Sequence, residues 1–159
     1  MKKYFKVFIT STFLIFILLM AAGCGAEDFA GAGTWTAYDQ NNTVVQVNIE
    51  KGQNGYIIKK TTGSYSMTKG GTLLGNGDKE YTWKKQEQQE NGSVKNGKLI
   101  INGNEQDFYN INNGNLVYQS LTFTKDTGKE LAEMKKKAAD VIADKEKKLS
   151  PKNNINFVD

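Results

Sequence analysis

Residues 43–50 read Thr43-Val44-Val45-Gln46-Val47-Asn48-Ile49-Glu50, in which apolar and polar side chains largely alternate. Successive side chains of a β-strand point to opposite faces, so Val45, Val47 and Ile49 predict the buried face of a half-exposed strand. The same period of two recurs at residues 81–84 and 121–124. These stretches predict a mainly β domain.

Turn signals separate the predicted strands. Asn-Gly, the pair that best tolerates the positive φ angles of a tight hairpin, occurs at 54–55, 76–77, 91–92, 96–97, 102–103 and 113–114. We predict about seven to nine strands from such signals, near 33–39, 43–51, 55–62, 64–68, 79–86, 93–95, 98–103, 106–111 and 115–125. Short connections favour antiparallel neighbours, and closure removes exposed edges. The expected fold is an antiparallel meander closing into a small β-barrel of about eight strands.

The hydrophobic period changes near residue 127. Thr127-Gly128-Lys129-Glu130 has the form of a capping box, and apolar residues follow at helical spacing: Leu131, Met134, Ala138, Val141, Ile142 and Leu149. Pro151 disfavours a helical conformation at the residue before it. We therefore predict one amphipathic helix over about 128–149, packed on the barrel, and a polar tail at 150–159.

The N-terminus has the composition of a secretory signal peptide. Residues 1–6 are basic, residues 7–20 are apolar and uncharged, and small residues precede Cys24. The apolar run is shorter than the roughly 20 residues that span a bilayer, which disfavours the alternative of an uncleaved membrane anchor. We predict a signal peptide at 1–23.

The residues Ala21-Ala22-Gly23-Cys24 resemble the lipobox of bacterial lipoproteins. In that family the cysteine thiol receives a diacylglyceryl group and the signal peptide is cut just before it. The resemblance implies that Cys24, the only cysteine, carries a lipid and that residues 24–32 form a lipidated tether. It also implies export to the outer face of the cytoplasmic membrane, where two acyl chains suffice for stable anchoring.

Composition narrows the chemistry available to the protein. All 21 basic residues are lysines, which is typical of a low-GC, Gram-positive source, and histidine is absent. Without histidine there is no Ser-His-Asp or Cys-His catalytic unit and no imidazole metal ligand. Loss of residues 1–23 removes three lysines, so the net charge falls from +4 to +1. This charge and the lack of arginine give little support for nucleic-acid binding.

Acidic residues do not form a recognisable site in the sequence. Single carboxylates are scattered near predicted turns and polar faces, at Glu50, Asp78, Glu80, Glu105 and Asp107. No pair has the spacing of a complete calcium loop, and nothing selects a pair for acid–base hydrolysis. The sequence therefore predicts no catalytic residue, no metal and no cofactor.

Gly33-Thr34-Trp35 resembles the Gly-x-Trp signature of the lipocalins and the wider calycin group. Members of that group have an antiparallel barrel followed by a helix on its outer wall, an order that matches residues 33–149 here. The resemblance implies that Trp35 is structural and plugs one end of the barrel. It also implies that Lys125 lies beside Trp35, where the lipocalins place an arginine.

Two classes of function remain for a monomeric barrel of this type. The first is a non-catalytic module that binds a small apolar ligand in the barrel interior, with aromatic contacts drawn from Tyr56, Tyr81, Trp83, Phe108, Tyr118 and Phe123. Aromatic residues in a barrel more often form its packed core than a ligand pocket. The second is a surface protein–protein module, such as an inhibitor, immunity or exclusion lipoprotein. Its candidate contact is the glutamine-rich stretch at 84–91, which also fits an ordinary solvated hairpin tip.

Overall fold

The computed structural model describes residues 28–70, 77–149 and 154–159. Within these ranges the strands are β1 (Gly33–Asp39), β2 (Thr43–Gly52), β3 (Gly55–Lys69), β4 (Lys79–Lys95), β5 (Lys98–Ile101), β6 (Asn104–Asn112), β7 (Asn115–Tyr118), β8 (Leu121–Lys125) and β9 (Ile155–Val158). Helix α1 spans Glu130–Leu149. The predicted signal peptide and Cys24 lie outside the described residues. None of the described helical residues form a segment long and apolar enough to cross a bilayer.

Strands β1 to β8 form a closed antiparallel barrel. Each strand pairs with the next along the chain, and β8 returns to pair with β1, where Trp35 lies opposite Lys125. This closure leaves one face of every strand directed inward and the other directed outward. The predicted antiparallel barrel of about eight strands with one C-terminal helix is confirmed.

The tight turns of the barrel follow the Asn-Gly signals at three places. The pairs at 96–97, 102–103 and 113–114 each join consecutive strands with positive φ at both residues, for example 52° at Asn96 and 73° at Gly97. Positive φ at both positions is the requirement of a type I′ turn. The pair at 76–77 is only partly within the described residues.

The prediction of a turn at Asn91-Gly92 is wrong. Gly92 is a buried residue inside β4, paired with Tyr56 on one side and Ile101 on the other. A Cβ atom at this position would lie 2.6 Å from Leu99 Cδ1. The glycine therefore serves close packing of the barrel wall rather than a change of chain direction.

Strands β3 and β4 are each a single long strand where the sequence predicted two. Their ends at 64–69 and 79–84 continue beyond the edge of β2 as a two-stranded extension, which we call the ribbon. The stretch 84–91 consequently lies within β4 and is not a hairpin tip, which corrects the loop prediction. Glutamine and glutamate favour strands weakly, and pairing with β3 overrides that preference. Conversely, the predicted strand 115–125 is two strands with a turn at 119–120.

The inward side chains of the barrel pack as one core. The residues with no accessible surface in it are Val47, Ile58, Leu99, Tyr109, Leu116 and Phe123. At one end, which we call the plugged end, Trp35 donates a hydrogen bond from Nε1 to the Gly31 carbonyl at 2.8 Å. Lys125 Nζ lies 5.8 Å from the centroid of the Trp35 ring.

The folded domain begins before the predicted boundary at residue 33. Phe29 is 3% exposed and belongs to the core, and its backbone N–H donates to the Tyr56 hydroxyl at 2.8 Å. Asp28 forms an ion pair with Lys51. The predicted tether, residues 24–32, is therefore too long at its C-terminal end. A single aromatic residue among small ones has no periodicity that would have revealed this packing.

Helix α1 packs on the outer wall formed by β1, β2 and β3. At its start the Thr127 N–H donates to the Glu130 carboxylate at 2.6 Å, which is one of the two hydrogen bonds of a capping box. Ala138 is its buried residue, whereas Val141 and Leu149 are 40% and 68% exposed. The helix thus uses only part of the apolar stripe that the sequence predicted.

The polar tail predicted at 150–159 contains a strand. Strand β9 pairs in parallel with the start of β4, from Lys79 opposite Ile155 to Thr82 opposite Val158. Phe157 faces Tyr81 across this pair, with ring centroids 5.6 Å apart. Because β9 has only four residues, its alternation is too short for the sequence pattern to distinguish a strand from a polar tail.

Candidate functional site

The six aromatic residues predicted as ligand contacts do not form one site. Tyr56 and Phe123 are buried in the core, and Tyr118 packs against it from the other end of the barrel. Tyr81 and Trp83 lie on the ribbon. Phe108 lies on the outer face of β6, where Lys98 Nζ is 4.0 Å from its ring centroid.

The ribbon carries an aromatic cluster of its own. Tyr65 and Trp83 are paired across β3 and β4 with centroids 4.9 Å apart, and Phe157 lies 5.0 Å from Tyr65. Lys135 of the helix lies over Trp83, with Nζ 4.9 Å from the ring centroid. These contacts attach β9 and the helix to the ribbon. The aromatic residues here therefore have a structural role in the first instance.

The end of the barrel opposite the plugged end, which we call the mouth, is lined by polar side chains. Lys60 follows the inward-facing Ile58 by two residues on β3, and Glu90 is paired with Ile58 on β4. Asp107 precedes the inward-facing Tyr109 by two residues on β6. Because residues two apart share a face of a strand, these three charged side chains point toward the barrel axis.

A stacked pair of tyrosines forms the floor of the mouth. Tyr109 and Tyr118 are opposite each other on β6 and β7, with ring centroids 4.6 Å apart and an angle of 26° between the rings. Lys60 reaches across the barrel, so that its Nζ lies 5.5 Å from the Tyr118 ring centroid. The Gln119 amide donates to the Tyr118 hydroxyl at 3.2 Å.

Two polar atoms in the mouth are buried without a hydrogen-bond partner among the described residues. They are the hydroxyl of Tyr109, a residue with 0% exposure, and Oδ1 of Asp107. A buried polar atom without a partner costs about 1–3 kcal/mol, and such atoms are few in native proteins. A third such atom, Asn110 Oδ1, belongs to the opposite face of β6.

The mouth keeps both tyrosine hydroxyls protonated at neutral pH. Burial raises the pKa of Tyr118 to about 12, with the neighbouring Asp107 carboxylate as a further cause. Burial also raises the pKa of Tyr109, and Tyr118, Glu90 and Asp107 add to the effect. Both hydroxyls therefore stay neutral and keep their capacity to donate hydrogen bonds.

Below the mouth, the barrel is filled by its own side chains. An internal void large enough for water leaves accessible surface on the atoms around it. Ile58, Leu99, Leu116 and Phe123, which surround the barrel axis, have none. Eight-stranded barrels either fill their interior or hold one small ligand, and this packing favours the filled case.

Strand β4 has an unpaired stretch of edge near the mouth. On the side away from β3, β9 pairs with residues 79–82 and β5 pairs with 92–95. No strand of the described ranges pairs with residues 83–90 on that side, and side chains 84–89 are exposed. The Asn91 carbonyl accepts from the Asn102 N–H at 2.8 Å, so Asn91 is directed toward this edge. Alternate residues share that direction, so the backbone groups of Lys85, Glu87 and Gln89 also face it.

Acidic side chains do not converge on a metal site within the ranges that the structure describes. No group of three or more acidic or thiol side chains there is arranged to hold a metal ion. Lys60, Glu90 and Tyr109 were not identified from the sequence, and Asp107 was noted only as a scattered carboxylate. Their convergence depends on barrel closure, which brings β3, β4 and β6 together across more than forty residues of chain.

Comparisons with protein-family models, with curated proteins and with solved structures found no match. Function is therefore inferred from the residues of this chain.

Proposed function

We propose that the protein is an exported lipoprotein, anchored through Cys24, whose barrel is a non-catalytic binding module with its site at the mouth. The observation that carries the proposal is a pair of buried polar atoms, Tyr109 Oη and Asp107 Oδ1, that have no hydrogen-bond partner among the described residues. A bound molecule that donates or accepts hydrogen bonds would satisfy them. Nothing else in the described interior offers polar groups in this way.

The ligand is polar in this proposal. The sequence alone favoured a small apolar ligand inside the barrel, but the filled interior supports a site at the mouth instead. Charged groups of both signs and two hydroxyls border that site. Such groups fix a ligand by hydrogen bonds and charge rather than by apolar area.

The location is supported by the signal peptide and lipobox of residues 1–24. We expect the wild-type protein to incorporate labelled palmitate and to fractionate with membranes. A Cys24→Ser variant should lose the label and retain the signal peptide, because the thiol is the acceptor of the lipid. Equal labelling of the two proteins would contradict the anchor.

The site is tested by nuclear magnetic resonance on the isotope-labelled protein in detergent micelles. The probes are glycine, ethylamine, propionate, glucose and uridine, which represent different polar classes. We expect at least one class to shift amide signals near Lys60, Glu90, Asp107 and Tyr118, and an Asp107→Leu variant to lose the shift. A Glu87→Gln change on the outer face of β4 is the matched control. Shifts absent from the mouth for every probe would overturn the proposed site.

A second candidate function is a surface protein–protein module, and the unpaired edge of β4 favours it. An exposed strand edge accepts an added strand from a partner through its free backbone groups. The edge includes much of the stretch 84–91 that the sequence had indicated as a contact. A specific partner captured by the wild type, and lost when residues 86–89 are replaced by Lys-Pro-Lys-Pro, would support this alternative. The Pro residues then occupy 87 and 89, whose N–H groups face the free edge, so the β3 ladder is retained.

A further inference from the structure

We propose that the mouth binds the zwitterionic group of an amino acid, its ammonium held by Asp107 and Tyr109 and its carboxylate held by Lys60. This inference rests on the proposed function and names the chemical class of its ligand. It follows from two opposite charges, those of Lys60 and Asp107, which both lie beside Tyr118. Neither charged group has an ion-pair partner among the described residues.

The negative side of the site is formed by Asp107 and Glu90. Asp107 Oδ1 is buried and accepts no hydrogen bond from the described residues. Neither carboxylate is in an ion pair within that part of the chain. A buried carboxylate normally has a paired cation or several donors, and an ammonium group supplies both.

The positive side is formed by Lys60. Its ammonium lies 5.5 Å from the Tyr118 ring centroid, and it makes no ion pair with a described residue. The neighbouring Lys59, on the outer face of β3, is by contrast paired with Glu50 at 3.1 Å. Lys60 is thus available to a carboxylate that enters the mouth.

The tyrosine pair connects these two sides. Tyr118 has Lys60 over its ring and Asp107 near its hydroxyl, so the two charges flank one aromatic side chain. The buried Tyr109 hydroxyl, stacked beneath, has no hydrogen-bond partner among the described residues, and the Glu90 and Asp107 carboxylates both act to raise its pKa. An isolated cation would leave Lys60 unpaired, and an isolated anion would leave Asp107 unpaired. A molecule that carries both groups on one carbon satisfies the two sides together.

The experiment compares alanine with its two halves, ethylammonium and propionate, by titration of the isotope-labelled protein in detergent micelles. We expect alanine to bind at least about tenfold more tightly than either half, because each half lacks one charge-assisted hydrogen bond. The Lys60→Met variant should bind alanine and ethylammonium equally. The Asp107→Asn and Tyr109→Phe variants should each weaken alanine binding, with Tyr109→Phe preserving the stacked ring.

Lys59→Met is the matched control and should leave alanine binding unchanged. The zwitterion assignment is overturned if the two halves bind as tightly as alanine, or if Lys60→Met and Asp107→Asn bind alanine like the wild type. It is also overturned if another polar probe shifts the mouth signals and alanine does not. That last result would retain the mouth as a binding site, so the two proposals fail separately.

Discussion

At the scale of the residue, Gly92 shows how a single missing side chain permits the barrel wall to close. Strand β4 passes so near Leu99 and Ile58 that a Cβ atom on Gly92 would lie 2.6 Å and 3.1 Å from their methyl carbons. Both neighbours are fully buried and have little room to move. Close-packed interiors resist added volume for this reason.

We therefore expect Gly92→Ala to lower the free energy of unfolding by about 1–3 kcal/mol, the usual cost of overpacking. Gly52→Ala is the control, because its Cβ would meet atoms no nearer than 3.5 Å and its φ is not positive. That change should be neutral or raise the stability by up to about 1 kcal/mol, since alanine restricts the unfolded chain. Urea unfolding of both variants measures the difference, and equal stabilities would refute the packing argument.

Gly92 also shows that a dipeptide alone does not determine where a turn forms. Asn-Gly at 91–92 is identical in composition to the pairs at 96–97 and 102–103, yet only the latter two are turns. An Asn-Gly pair determines which backbone conformations are tolerated, whereas the residues packed around it determine whether a turn forms. Leu99 and Ile58 exert their effect through contacts that the local sequence does not contain.

At the scale of the element, helix α1 is attached to the ribbon by a partly buried ion pair. Glu146 binds Lys79, and the two side chains are 14% and 15% exposed. The Tyr81 hydroxyl donates to the same carboxylate at 2.6 Å. Hydrogen bonds from Lys79 and Tyr81 lower the pKa of Glu146 below its ordinary value.

Glu146→Gln should lower the free energy of unfolding at pH 7 by about 1–3 kcal/mol, because Lys79 loses its charged partner. A lowered folded-state pKa means that the contribution is complete above the ordinary value of 4.5 and is lost as the pH falls through the folded value. The difference between wild type and variant should thus shrink below pH 4.5. Exposed Asp140→Asn is the control, and a difference that does not change with pH would contradict the assignment.

Helix α1 shows which features the helical spacing of apolar residues predicts correctly. Its existence, its capping box and its place on the barrel follow from Thr127, Glu130 and the apolar spacing. The period does not predict that Val141 and Leu149 remain exposed, because exposure depends on which part of the helix contacts the barrel wall, and the local sequence pattern does not contain those contacts. The barrel fold and the alternation of its strands were also predictable from the sequence. The convergence of Lys60, Glu90 and Asp107 was not, because only closure of the barrel brings their strands together.

At the scale of the whole molecule, the described part of the closed barrel retains a long unpaired stretch of strand edge on β4. Residues Gln86, Gln88 and Glu90 direct their backbone groups to β3, whereas Lys85, Glu87 and Gln89 direct theirs to the unpaired edge. We expect slow amide exchange at the even positions and fast exchange at the odd ones. Exchange measured residue by residue tests this alternation, which uniform protection across 85–90 would contradict.

The same measurement separates the two functional candidates. A ligand in the mouth should leave the fast exchange of Lys85, Glu87 and Gln89 unchanged, because their N–H groups lie in the barrel wall and face its unpaired edge. A partner that adds a strand to β4 should protect those three amides, since their N–H groups become hydrogen-bonded.

Phe29 has a geometric consequence for a lipid-anchored molecule. It is fixed in the plugged end of the barrel, only five residues after Cys24. Five residues extend at most about 18 Å, so the plugged end must stay near the bilayer when Cys24 is acylated. The domain then has a preferred orientation on the membrane, with its plugged end toward the lipid. In that arrangement the mouth opens away from the lipid.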